Sequence, residues 1–202
     1  MGRPSVAALL GGEGKRDFRI IRRRRQRCGS PLFPSSVFVC VNLWFLFMPK
    51  RYFDEIEIGE SFETPGITVT DWHVLQFAGV SMDFFELHTN DEFARQTEFG
   101  RRVAHGLLGL ALTDGLKNRS AFQVHALASL HWSWDFVGPI FVGDTVTAQL
   151  RVEDKRASQS KPDRGVVTLA LELRNHHGKI VQQGKNVLLI ARKTAEGTEK
   201  RG

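Results

Sequence analysis

The sequence predicts an α+β domain in which an antiparallel β-sheet wraps around one long central helix. Three observations lead to that fold class. The run from Gly106 to about Lys117 is the most apolar helix-length stretch after residue 50, and its apolar positions cover more than one face, as in a helix enclosed by a sheet. After Ser120 the hydrophobic period becomes two, in runs separated by turn residues. The 202 residues, 42% of them apolar, suffice for one sizeable core and hardly for two.

Residues 1–50 are expected to lie outside the domain. RIIRRRRQRCGSP is a dense arginine run, and VFVCVNLWFLFMP follows it. A basic run before an apolar one imitates a secretory signal, but no small-residue cleavage site precedes Lys50-Arg51. The arginine-rich, acid-poor composition also suits a matrix-targeting peptide. The preferred reading is a non-domain extension, translated from upstream sequence, with Met48 as the working start. Val37–Met48, interrupted by Asn42, is too short to span a bilayer comfortably, so no membrane partner is expected.

The domain is expected over residues 51–193. Gly59 and Pro65-Gly66 mark turns, and Ile67–Thr70 reads as a short strand entering a helix. Thr70 is the helix cap, with Asp71 favouring the positive helix end and Trp72, Leu75, Gln76 and Ala78-Gly79 continuing the helix. Asn90 is a second cap, with Asp91 and Glu92 in the first turn. In the central helix, Gly106, Gly109 and Gly115 weaken propensity but permit close backbone approach. Strands are expected at Leu127–Phe136, Thr145–Val152, Gly165–Leu173 and Lys179–Ile190. Turns at Gly138-Pro139, Val142-Gly143-Asp144, Ala157–Arg164 and Asn175–Gly178 separate them. Residues 194–202 form a polar tail. Such a sheet keeps a back face and free edges, so a homodimer or higher homo-oligomer is expected.

Charge and cysteine content narrow the function. The net charge of +6 comes from the first quarter, where ten Lys/Arg face two Asp/Glu; residues 51–202 hold eighteen against twenty. The domain is therefore mildly acidic, and no nucleic-acid partner is expected. Cys28 and Cys40 both precede it, which excludes disulfides and cysteine nucleophiles from the domain and fits a reducing, cytoplasmic setting.

The chemistry concentrates in residues 79–109, GVSMDFFELHTNDEFARQTEFGRRVAHGLLG. Asp83 and His88 lie five positions apart, among aromatic and aliphatic residues expected to exclude water. His105-Gly106 then opens the apolar helix. An acid, an imidazole and a helix start are the parts of a proton-transfer site beside an anion-stabilising helix end. The alternatives are an Asp83 that caps a turn, a buried structural His88, and a Gly106 that only clears a packed sheet. His105 is read as structural. His73, His125, His131, His176 and His177 show no zinc spacing, and no metal is expected. Trp132, Trp134 and Phe136 alternate and read as one sheet face.

These residues resemble the MaoC-like dehydratases, the hotdog-fold group that includes the (R)-specific enoyl-CoA hydratases. That group's motif runs Gly-Asp, one residue, Asn-Pro, one residue, His, followed later by His-Gly at the central helix. Here Met82-Asp83-Phe84-Phe85-Glu86-Leu87-His88 and Phe99-Gly100-Arg101-Arg102-Val103-Ala104-His105-Gly106 stand in those places. Phe136, Pro139, Val142, Gly143-Asp144 and Thr145 match the group's entry into its next long strand. The resemblance covers about residues 52–192. It departs at Met82, which replaces a glycine, and at Phe85-Glu86, which replace Asn-Pro.

The resemblance implies a hydro-lyase that adds water to, or removes it from, the C2–C3 double bond of an enoyl-CoA thioester. Asp83 and His88 would be the catalytic pair, and the Gly106 N–H would face the thioester oxygen. It implies no cofactor beyond the coenzyme A of the substrate. Arg101 and Arg102 could then meet coenzyme A phosphates, with a solvated surface pair as the equal alternative. A thioesterase and a non-catalytic acyl-CoA-binding subunit are the competing readings.

Overall fold

The computed structural model describes residues 49–193. The arginine-rich and apolar N-terminal runs and the tail at 194–202 lie outside the described residues.

After a 3-10 turn at Phe53–Glu55, the chain forms β1 (Ser61–Glu63), β2 (Ile67–Thr68), α1 (Asp71–Ser81), α2 (Glu86–Thr89), α3 (Asp91–Arg95) and α4 (Gly106–Lys117). Four long strands follow: β3 (Ala126–Phe136), β4 (Thr145–Ala157), β5 (Arg164–Asn175) and β6 (Ile180–Ala191). All pairings are antiparallel, in the order β1-β4-β5-β6-β3, with β2 also on β4. The connections are built by residues that tolerate positive φ: Gly143 at 96° before β4, and Gly178 at 74° between β5 and β6. Asn175 completes the second turn, its Oδ1 accepting the N–H groups of His177 and Lys179 at 3.1 Å each.

Period two puts every second residue of the long strands on one face, and the register aligns them in rows. Ala148, Leu173, Gln182 and Phe136 form one row; Leu150, Leu171, Gly184 and Trp134 the next; Val152, Leu169, Asn186 and Trp132 a third. The central helix α4 packs on this face through Leu108 and Leu116, in a cluster with Val146, Ala148, Ile140, Leu173 and Val181. Two buried polar residues of β6 reach its two ends. Gln182 donates from Nε2 to Gly106 O at 3.0 Å, and Lys117 Nζ donates to Asn186 Oδ1 at 3.0 Å. Polar groups in a core need such partners, and both pairs fix how α4 lies on the sheet.

The opposite face of the sheet is polar. It carries Arg151, Glu172, Arg174 and Lys185, with ion pairs Arg174–Glu172 and Lys185–Glu153, so water already solvates it. The exposed apolar side chains lie elsewhere: Leu127 and Leu130 on the edge strand β3, and Trp72, Val80, Met82, Phe84, Phe85 and Leu107 on the helical side. Helix α1 follows its predicted cap but buries Val74 and Ala78, one turn apart, and leaves Trp72 and Leu75 exposed. Among the described residues, no helix is long and apolar enough to cross a membrane.

Candidate active site

The site is built where α1 stops. Met82 takes φ 62° and ψ 17°, the left-handed conformation that ends a helix and that glycine adopts most cheaply. That turn directs the chain into Asp83, whose N–H donates to Ser81 Oγ at 3.3 Å and whose Oδ1 accepts the Phe85 N–H at 3.2 Å. The single-turn helix α2 then carries His88. Asn90 caps α3, its Oδ1 accepting the N–H groups of Glu92 and Phe93 at 3.0 and 3.2 Å. Arg102 locks the assembly from outside, binding Asp71 at the start of α1 and Asp91 at the start of α3 at 2.7 Å each. Those carboxylates hold the Arg102 guanidinium pKa above its ordinary value, despite desolvation that works the other way.

Two imidazoles meet inside this frame. His88 donates from Nδ1 to Val103 O at 2.7 Å; a carbonyl can only accept, so Nε2 carries the free lone pair. His105 donates from Nε2 to Asp83 O at 2.9 Å, and its ring lies 3.9 Å from that of His88 with 32° between the planes. His105 is buried, and its Nδ1 has no hydrogen-bond partner among the described residues. Burial is the largest influence on this ring and pushes its pKa down, the Asp83 carbonyl raises it, and the nearby His88 lowers it again. Burial thus disfavours the charged form of His105. A carboxylate oxygen of Asp83 and one ring nitrogen from each histidine lie within 4.8 Å of one another. One water, making two hydrogen bonds of about 2.8 Å, spans such a gap.

His88 and Gly106 line one cavity of about 350 Å³, walled by Phe136, Pro139, Ile140 and Gln182. Gly106 is the first residue of α4, so its N–H has no acceptor within the helix. A Cβ there would stand 2.9 Å from Phe136 Cε1, so glycine both admits the ring and bares the amide.

Of the three residues selected from sequence, the structure sets Asp83 beside His88, and it puts His88 and Gly106, but not Asp83, on the wall of one cavity. It corrects their surroundings: Asp83 is exposed, and Met82, Phe84 and Phe85 are 77%, 56% and 54% exposed. The cause is that a short surface connection between α1 and α2 carries them. Arg102 is committed to Asp71 and Asp91, and Arg101 stacks on Phe141 at 3.9 Å. Trp132, Trp134 and Phe136 do share one face, the one toward α4. Sequence reasoning passed over Gln182 and the involvement of His105 in the site. A polar residue in phase with the apolar positions of β6 was the available signal for Gln182.

Asp83, His88 and His105 also form a donor set that a transition-metal ion accepts, a carboxylate with two imidazoles. Each ring commits one nitrogen to a backbone carbonyl, which leaves one lone pair on each.

Comparison with known proteins adds findings of three kinds. The family model described as a MaoC like domain matches residues 54–173. An (R)-specific enoyl-CoA hydratase of Rhodospirillum rubrum is 29% identical over 140 residues, covering 69% of this chain and 92% of the relative. Another from Aeromonas caviae is 33% identical over 119 residues, 58% of this chain and 83% of its own. Among solved structures, the Aeromonas caviae (R)-hydratase aligns with a TM-score of 0.57 at 30% identity, over 66% of this chain and 96% of that one. A Mycobacterium tuberculosis protein with a double hotdog fold gives 0.64 at 19% identity, over 74% and 46% of the two chains, a likeness of fold alone.

Proposed function

The chain belongs to the MaoC-like domain family and has its hotdog fold, and from that footing we propose that it is a hydro-lyase acting on 2-enoyl-CoA thioesters. The observation that carries this reading is the gap of at most 4.8 Å between the Asp83 carboxylate and a His88 ring nitrogen, with His88 on the same cavity as the Gly106 amide.

In the proposed reaction one water sits between Asp83 and His88. Its oxygen bonds to C3 while His88 Nε2 takes its proton, and the C2–C3 π electrons move toward the thioester oxygen. The same proton then passes to C2, so that H and OH end on one face of the former double bond. Asp83 orients the water and balances the charge that His88 acquires. Acid–base groups positioned this way contribute on the order of 10²–10⁴ in rate. The Gly106 N–H donates to the oxygen where charge collects, a contact worth about 3–4 kcal/mol in the transition state. Run backwards, the same steps dehydrate a 3-hydroxyacyl thioester. No metal or cofactor takes part in this scheme.

A second copy of the chain is proposed to pair along the free edge of β3, where Leu127 and Leu130 are half exposed. The test of function is loss of the conjugated thioester absorbance when purified protein meets crotonyl-CoA. Release of free thiol instead would make the protein a thioesterase, and binding without turnover across chain lengths would make it a non-catalytic subunit.

A further inference from the structure

Gln182 stands where a core residue is expected, on the inner face of β6 and 2% exposed. Its carboxamide orientation is dictated by its neighbours. Oε1 accepts from Trp134 Nε1 at 2.9 Å, an indole nitrogen that can only donate, and Nε2 donates to Gly106 O at 3.0 Å, a carbonyl that can only accept. Two glycines make room for this bridge. A Cβ at Gly109 would come within 2.4 Å of both Gln182 Nε2 and Oε1, and one at Gly184 would come within 2.5 Å of Trp134 Cε3. Gln182 also lines the cavity that His88 and Gly106 share.

The geometry points to Gln182 as a positioning residue: the Trp134–Gln182–Gly106 bridge sets where the first amide of α4 aims. This rests on the proposed role of the Gly106 N–H as donor to the thioester oxygen. An apolar side chain of similar length would fill the same space. What it would lack is the fixed link between the strand face and the opening turn of the helix. A helix-end donor works only at hydrogen-bond distance from the oxygen, so a small rotation of that turn weakens it while leaving substrate binding intact.

The test compares wild type with Gln182→Met and with the pair Gln182→Met/Trp134→Phe, which also removes the stranded indole donor. A third variant, Gly109→Ala, displaces the carboxamide by contact. Kinetics use crotonyl-CoA, binding uses saturated butyryl-CoA, and amide NMR follows Gly106. The expected result is a 10- to 100-fold fall in kcat with KM and butyryl-CoA affinity within about threefold, and a shifted Gly106 amide resonance. A folded variant with kcat within twofold of wild type and an unmoved Gly106 resonance overturns the assignment, as does failure of all three variants to fold. Wild type inert toward every enoyl-CoA counts against the hydratase reading alone, and the Gly106 resonance then decides the bridge by itself.

Discussion

His105 lies across the face of His88, ring centroids 3.9 Å apart, while its own Nε2–H is held by the carbonyl of Asp83. One buried ring thus touches both members of the proposed acid–base pair. Its folded pKa is held below the ordinary 6.5, chiefly by burial. As pH falls below 6.5, the unfolded chain therefore takes up the proton before the folded one does. The His105 contribution is complete above 6.5 and is lost as pH drops toward the folded value. Urea unfolding at pH 7.5 and 5.5 is expected to show a smaller acid loss in His105→Asn than in wild type, and NMR to show His105 titrating below the ordinary 6.5.

Replacing either Asp83 by Asn or His88 by Ala is expected to lower kcat for crotonyl-CoA hydration by about 10²–10⁴. The double variant should lose little more than the worse single one, because the two groups share one water. Full activity in both single variants would end the proposed mechanism.

These residues were legible for different reasons. The places of β3–β6 followed from period two broken by Gly and Asn turns, and α4 from the apolar run Leu107–Leu112, because both patterns are local; β4, expected to end at Val152, runs on to Ala157 past a register shift that breaks its alternation. Asp83 and His88 stood out through family resemblance, since their spacing alone does not say that the α1–α2 connection folds back toward His105. Helix α2 carries no pattern because a single turn is too short to hold one. Arg102 read as a coenzyme A phosphate contact or half of a solvated surface pair because its partners Asp71 and Asp91 are 31 and 11 residues away in sequence, on two different helix starts. The exposure of Phe84 and Phe85 runs against composition altogether.

Met82 holds a left-handed conformation with a full side chain that is 77% exposed. Such a backbone costs about 1–2 kcal/mol that glycine avoids. Met82→Gly is expected to raise the thermal midpoint by about 2–4 °C per kcal/mol recovered, measured by calorimetry. A lower midpoint would mean that the Met82 side chain contributes contacts larger than the strain.

Gly106→Ala should act on chemistry and packing together, because its Cβ would stand 2.9 Å from Phe136 Cε1. Alanine keeps the backbone N–H, so the expected fall in kcat, up to about 10²–10³, comes from displacing that donor from the thioester oxygen. Gly106→Ala/Phe136→Leu relieves the crowding. If the amide is the donor, this double variant should regain folding stability and most of the lost rate, because the N–H can return to its place.

Dialysis against EDTA is expected to leave crotonyl-CoA hydration unchanged, with elemental analysis finding less than one bound metal ion per chain. An activity that vanishes on chelation and returns with a divalent ion would instead assign Asp83, His88 and His105 as ligands.

The groups proposed to react come from residues 83–106, whereas Phe136, Pro139, Ile140 and Gln182, which wall the cavity beside them, all come later in the chain. Apart from Gln182, which holds Gly106 O, these later walls are mutable separately from the reacting groups. The Phe136, Pro139 and Ile140 walls can be carved or filled to admit a longer or branched tail, and the machinery that moves the proton need not be touched.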